Sequence, residues 1–440
     1  MTLIDLTRPP VYSSRFKTLP VAIIGAGPIG LAAAANLVER GIDFVIYEAG
    51  ESIADSMRQW GHIRLFSPWK HLVDPASWRL LEASGWTHPD ENDLPTGAEL
   101  VEQYLAPLAA LESIASHIHT GVEVSAVARE GMDRTRTANR LTTPFLLRVN
   151  DHGVLSEVTA RAVIDASGTY RSPNSLASTG LDPLGLPDVA DLVSHALPDV
   201  MGRDRVRFAR RHTTVVGAGH SAANTLLNLA ALAEQEPGTR ITWVIRNASA
   251  VRVTTSADDE LVARASLGAR VDALIAAGVI TVLDRFEIVR LSRHGDAVRI
   301  VGSRAGELVE HDTDLVVNAT GFRPNLDMLR EVRLELDDIV EAPKRLAPLI
   351  DPNVHSCGTV EPHGFAELQQ PENGFFLAGM KSYGRAPTFL LATGYEQVRS
   401  ITAWLAGDMA AATKVELTLP ATGVCSTSAA PEQLSSGCCS

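Results

Sequence analysis

The stretch Val21–Glu48, VAIIGAGPIGLAAAANLVERGIDFVIYE, decides the fold. Val21–Ile24 is a short apolar run of the kind that forms a strand buried on both faces. The glycine loop Gly25-Ala26-Gly27-Pro28-Ile29-Gly30 follows it. Leu31–Arg40 is dense in Ala and Leu, strong helix formers, and Gly41 stands where a glycine ends such a helix. Phe44–Tyr47 is a second apolar strand and closes in Glu48. A strand, a GxGxxG turn, a helix and a strand ending in a carboxylate are the context in which that turn binds a dinucleotide. The turn lets a pyrophosphate approach the helix N-terminus, where free N–H groups and the dipole favour an anion. Gly25, Gly27, Pro28 and Gly30 are therefore the predicted phosphate contacts, and Glu48 the predicted acceptor for ribose hydroxyls.

The pattern occurs twice. Thr213–Val216 leads into Gly217-Ala218-Gly219-His220-Ser221-Ala222, a helix predicted to about Leu232, and a strand Ile241–Ile245. Alanine at the third glycine position still permits close helix–strand packing. The second strand runs into Arg246 rather than a carboxylate, which suits a 2′-phosphate and so predicts NADPH on Gly217, Gly219, His220, Ser221 and Arg246. His220 is expected to shape the phosphate turn. Two dinucleotide sites in one chain imply transfer of electrons between two cofactors, with FAD on the N-terminal loop and NADPH on the second.

Two further apolar runs end in small residues, Ala162–Gly168 and Asp314–Gly321, and flank the second unit. They are the expected crossovers into and out of an inserted domain. The fold class is thus α/β, two Rossmann-like dinucleotide-binding domains, with an FAD domain over 18–172 and 313–412, an inserted NADPH domain over 173–312, and a Ser/Ala/Thr/Gly-rich tail over 413–440. Phe375–Gly379 reads as another buried strand and turn. A helix is predicted from Pro387 or Thr388 to Leu405, its N-terminus aimed at the flavin pyrimidine. Gly321, Gly379, Met380 and Thr388 complete the predicted cofactor contacts.

Composition narrows the class. The 440 residues carry 39 Lys+Arg against 52 Asp+Glu, a formal charge of −13, which lacks the basic footprint of a nucleic-acid binder. The N-terminus has neither the basic nor the apolar region of a secretory signal. The most apolar stretch, Val21–Val38, is interrupted by its own glycines and Pro28, so no membrane span is expected. Only Cys357, Cys425, Cys438 and Cys439 are present, which excludes a disulfide-stapled scaffold and predicts a cytoplasmic protein. No cysteine precedes Cys357, so no dithiol from the first 356 residues can face a flavin.

Over roughly residues 18–405 the chain resembles the two-dinucleotide-binding flavoproteins, especially the flavin-containing monooxygenases that hydroxylate nitrogen or oxidise sulfur. The likeness rests on Gly25–Gly30 with Glu48, on Leu94-Pro95-Thr96-Gly97-Ala98-Glu99-Leu100 with Tyr104, on the loop at Gly217, and on Asn318-Ala319-Thr320-Gly321-Phe322-Arg323-Pro324. It departs where the FxGxxxH signature is missing from Val200–His212 and where a common Gly-Asp pair is Gly379-Met380. Within this group it is most similar to the flavoprotein monooxygenases of arsenic-resistance operons, through Trp60–Trp69, His355–Thr359 and Gly379–Thr388. The resemblance implies oxygenation of a trivalent arsenical, or another soft nucleophile, with NADPH and oxygen by way of a C4a-peroxyflavin.

Trp60, Arg64, Ser67, Trp69, Lys70 and His71 cluster where such flavoproteins cover the isoalloxazine; Trp60 and Arg64 are predicted cofactor contacts and Trp69, Lys70 and His71 the catalytic candidates, with plain packing as the alternative for the aromatics. Cys438-Cys439, with Cys425 before them, are soft donors that suit capture of a thiophilic ion, and Cys357 is the candidate receiving thiol if its loop lies near the active site. The alternative is incidental tail cysteines and Cys357 as a small buried hydrophobe. Two other readings stay open: a reductase of a soft metal ion or partner protein, and a metalloid-binding carrier or sensor. The sequence is compatible with an oligomer.

Overall fold

In the computed structural model the chain is described over residues 18–248, 262–351, 362–386 and 389–417. The first unit is β1 (Val21–Ile24), α1 (Pro28–Glu39) and β2 (Phe44–Glu48). After a segment of short helices come β3 (Ile118–Thr120), an antiparallel meander of β4 (Val122–Arg129), β5 (Phe145–Asp151) and β6 (Val154–Ala160), and then β7 (Ala162–Asp165). The second unit contains β8 (Val193–Ser194), β9 (His212–Val216), α2 (His220–Gln235), β10 (Arg240–Val244), α3 (Val262–Ala276) and β11 (Ile280–Leu283). It continues through a second meander, β12 (Phe286–His294), β13 (Ala297–Arg304) and β14 (Glu307–Thr313), to β15 (Leu315–Asn318). The chain then returns to the first unit for β16 (Phe375–Leu377) and α4 (Leu391–Ala406).

Two parallel sheets result, ordered β16-β7-β1-β2-β3 and β11-β10-β9-β15-β8. Each is covered on one face by helices and on the other by a meander, which is why their strands are continuously apolar. In β1, Val21 and Ile23 face the helices while Ala22 and Ile24 face the meander. The same alternation in the second sheet sends Val215, Trp243 and Val317 toward α2 and α3, and Val216, Val244 and Val316 toward β12–β14. On α1, Ala32–Ala35 are all 0% exposed, and these small side chains let α1 lie close to both its sheet and α4.

Two expectations need correction. β15, predicted to begin the returning half of the FAD domain at 313, pairs with β9 and β8 inside the second sheet. The backbone hydrogen bonds of Leu315–Asn318 are thus used there, and the chain leaves the second unit only after Asn318. The helix predicted from Pro387 or Thr388 begins at Leu391, with Leu390 extended at its N-cap. Pro387 and Thr388 lie outside the described residues. Among the described residues no helix is long and apolar enough to cross a membrane.

The meander of the first unit is tied to β16 by a buried charge cluster. Glu372, 2% exposed, lies 2.7 Å from Arg129 Nε and 2.7 Å from Arg140 Nη2. Both guanidiniums spend their remaining donors on backbone, Arg129 on the carbonyls of Thr143 and Asn373, and Arg140 on those of Asp133 and Glu331. Removing one charge from such a cluster strands the others without compensation. Glu372→Gln should therefore lower the free energy of unfolding by about 3–5 kcal/mol, measured as a shift of the urea midpoint.

Candidate cofactor cradles and the cleft between them

At the first cradle Gly25 has φ +99°, and a Cβ there would lie 2.9 Å from the Ala166 carbonyl oxygen and 3.0 Å from Ser167 Cα. A Cβ on Gly30 would collide with the Gly25 carbonyl oxygen, whereas one on Gly27 would meet nothing within 4 Å. Gly25 and Gly30 are thus required by the protein's own packing, and Gly27 opens onto free space. Gly27 caps α1 without a side-chain hydrogen bond and Pro28 occupies its first turn, so the helix N-terminus is left to a ligand. The Glu48 carboxylate accepts from Ala26 N and Gly50 N, both at 2.8 Å. These two bonds aim the carboxylate and leave lone pairs for sugar hydroxyls.

The second cradle repeats the device. Gly217, at φ +128°, sits so close to the Ala319 backbone that a Cβ would overlap it, and its carbonyl oxygen accepts from Trp243 Nε1 at 2.6 Å. Gly219 faces open space and caps α2 without a side-chain bond. Beside this loop lies a cleft of about 300 Å³ lined by Ser175, Ser178, Gly217, Ala218, Arg246, Asn247, Thr320, Arg323 and Arg385. Arg246 is exposed at the end of β10, and neither its guanidinium nor that of Arg323 makes an ion pair among the described residues. Arg323 follows the Asn318–Gly321 turn directly, so its proximity to the linker motif was the available sequence signal. Gly321, at φ +96°, packs against the Asn174 amide. Asn174 in turn donates to Thr320 O and accepts, through its carbonyl, from Asn318 Nδ2 and Thr320 Oγ1.

The second cradle is held against the segment that follows β2 in the first unit. Phe66, from the segment after β2, packs on His220 with ring centroids 5.4 Å apart. Tyr170, His195 and Phe322 form an aromatic cluster where the chain crosses between units, with Tyr170 and His195 centroids at 4.4 Å. Arg203 donates to Gln59 O at 3.0 Å, and Arg171 pairs with Asp55 at 2.8 Å. His62, four residues before Phe66, has a buried Nε2 with no hydrogen-bond partner among the described residues, and burial draws its imidazole below the ordinary value.

The other candidates separate. Trp60 is half-buried against Gly97, and the Arg64 guanidinium donates to the Leu94 carbonyl, so both brace the Leu94–Leu100 segment. Trp69 is 3% exposed within the apolar core around α1. Lys70 and His71 line a second cavity, of about 190 Å³, with Asn36, Asp74, Arg79 and Arg399. The three catalytic candidates therefore do not converge on one reacting centre: Trp69 packs in the core, because the half-turn Trp69–His71 points it inward. Ser221 and Met380 are half-buried, and Gly379, at φ +68°, presses on Ile29 of α1. Cys357, Cys425, Cys438 and Cys439 lie outside the described residues. Among the described residues no group of three or more His, Cys, Asp and Glu side chains is placed to hold a metal ion.

A family model described as pyridine nucleotide-disulphide oxidoreductase matches residues 22–356. The chain belongs to that family. Its two parallel sheets, each opened by a glycine loop, are those of two-dinucleotide-binding flavoprotein oxidoreductases, and the family is one of flavin-dependent enzymes. It is similar to the Arabidopsis thaliana indole-3-pyruvate monooxygenase YUCCA6, at 29% identity over 209 residues. That alignment spans 47% of this chain and 44% of the relative, less than half of each. A flavin monooxygenase from Stenotrophomonas maltophilia superposes with a TM-score of 0.56 at 24% identity, over 88% of this chain and 98% of that one. The bacillithiol disulfide reductase Bdr (YpdA) from Bacillus cereus superposes with a TM-score of 0.66 at 19% identity, over 88% and 98%. These likenesses show the shared fold.

Two measurements check the site. Gly217→Ala must abandon a positive φ and push on the Ala319 backbone, a strain of about 1–3 kcal/mol that should raise the Kd for NADPH by roughly 5- to 100-fold while flavin affinity stays unchanged. In the second cavity, burial pushes the Asp74 carboxyl up to about 6. The folded state then binds a proton that the unfolded chain releases near 3.8, so stability falls as pH rises from about 4 to about 6. Asp74→Asn keeps a capping side chain and removes the titration. Melting curves should show the variant gaining on the wild type by on the order of 2–3 kcal/mol across that window.

Proposed function

We propose that this chain is an NADPH-dependent FAD monooxygenase that oxygenates a soft nucleophile, most specifically a trivalent arsenical. One observation carries the reading: two glycine-loop cradles occur in units joined by the Phe66–His220 contact, in a chain whose first 356 residues contain no cysteine. In a family named for disulphide chemistry, hydride arriving on the flavin has no protein dithiol from that region to reduce. Oxygen is then the natural acceptor.

In this reading Gly25, Gly27, Pro28 and Gly30 hold the FAD diphosphate at the α1 N-terminus, and Glu48 takes ribose hydroxyls. Gly217, Gly219, His220 and Ser221 hold the NADPH diphosphate at the α2 N-terminus. Arg246 and Arg323 line the cleft, with no ion pair among the described residues, and suit a 2′-phosphate. When bound, FAD accepts hydride from NADPH and activates oxygen. The chain's own part is orientation and exclusion of water, to which Phe66 contributes by packing on His220 of the second cradle. The cysteines support the choice of a thiophilic substrate, since Cys438-Cys439 and Cys425 are soft donors and remain reduced in a cytoplasm.

The test is turnover of the purified protein with NADPH, oxygen and arsenite or methylarsenite. NADPH oxidation should rise with the arsenical, and pentavalent product should form in step with oxygen uptake. NADPH consumption indifferent to the arsenical, with hydrogen peroxide as the only product, overturns the substrate assignment; undiminished turnover without oxygen overturns the monooxygenase reading in favour of a reductase.

A further inference from the structure

Beneath the first cradle lies a charged pair that nothing above uses. Lys381, 1% exposed, places its ammonium 2.7 Å from Asp165 Oδ2, and Asp165 is 0% exposed. Asp165 ends β7, while Lys381 belongs to the helical turn Gly379–Tyr383 after β16, the neighbouring strand. That turn is fixed from behind: Gly379 N donates to Gln397 Oε1 at 2.8 Å, and Gln397 Nε2 donates to Ser382 Oγ at 3.0 Å. A buried pair of this kind is costly to assemble and adds little stability compared with apolar packing. Its one outlet is Ser167.

Ser167 Oγ donates to Asp165 Oδ1 at 2.6 Å and accepts from Lys381 Nζ at 3.1 Å. Unlike its two partners, Ser167 is exposed. It forms the wall of the cradle, its Cα being 3.0 Å from where a Gly25 Cβ would stand, and neighbouring Gly168 opens onto free space. A hydroxyl has one proton and two lone pairs. Here the proton is committed to a carboxylate and one lone pair to an ammonium, so the remaining lone pair is all that Ser167 can offer the cradle. It can accept a hydrogen bond and cannot give one. A phosphate oxygen gains nothing from such a group, whereas a sugar or polyol hydroxyl does. Met380, beside Gly379, brings no strong acceptor of its own to this edge.

We infer that Ser167 binds a ribityl or ribose hydroxyl of FAD as a dedicated acceptor, and that Asp165 and Lys381 are positioning residues that fix its proton inward. The inference rests on the flavoprotein reading above. Lys381, 2.7 Å from Asp165 Oδ2, holds the carboxylate in place with its other oxygen on the serine hydroxyl.

The test titrates FAD into apoprotein and follows quenching of flavin fluorescence, with apoprotein melting and NADPH affinity as controls. Ser167→Ala, at an exposed position, should raise the Kd for FAD about 5- to 10-fold, the loss of one hydrogen bond. Its apoprotein melting temperature and its Kd for NADPH should stay at the wild-type values. The neutral double variant Asp165→Asn/Lys381→Met should weaken FAD by a similar factor, and adding Ser167→Ala to it should cause no further loss, because the three act as one unit. Ser167→Ala within twofold of wild type overturns the inference, as does full additivity of the double variant with Ser167→Ala. Wild-type apoprotein that takes up no FAD at all overturns the flavoprotein reading instead.

Discussion

The structure depends on backbone meeting backbone at the end of a central strand. At Gly25 and Gly30, and again at Gly217, one main chain lies so near another that a single methyl group has no room. This closeness turns the chain sharply from strand to helix and puts a glycine, with no capping side chain, at the N-terminus of both α1 and α2. Everything chemical follows from that exposure. The apolar sheets, the alanine face of α1 and the meanders serve to hold two helix ends where an anion can reach them.

Electrostatics in the protein is arranged around those ends. Overall charge is −13, yet the cleft beside the second cradle presents Arg246 and Arg323 with no ion pair among the described residues, so local charge opposes the global sign where a phosphate would sit. Three carboxylates of the frame are engaged instead: Glu48 by two amides, Glu372 by two arginines, Asp165 by a lysine. The distinction between free and engaged charge separates ligand-facing groups from those that stiffen the frame.

Much of this was legible from local sequence. β1, α1 and β2 are specified within 28 residues, and their glycine turn, helix stop at Gly41 and terminal Glu48 all stand as read. The second unit was readable for the same reason. What failed was non-local. β15 looks like the strand of a returning domain until its pairing with β9 is seen. Trp69 looks available for chemistry until the core around it is assembled. Lys381 carried no signal, because its partners Asp165 and Ser167 are far away in the chain and meet it only through the pairing of β7 with β16. The start of α4 was set too early because Pro387 is a good first-turn residue in isolation, while Arg385 and Ala386 are held to the Val340–Ala342 turn and Tyr383, and helix hydrogen bonding resumes only beyond Leu390.

The two crossings between units lie side by side. Pro173 bridges to Phe322 as an antiparallel pair, and Tyr170 stacks beside the same phenylalanine. The second unit, β15 included, is therefore suspended from a double-stranded strap rather than from two separate tethers. Asn174 N donates to Gly321 O and Arg323 N to Ser172 O, both at 2.9 Å, so neither crossing can slide without breaking its bonds to the other.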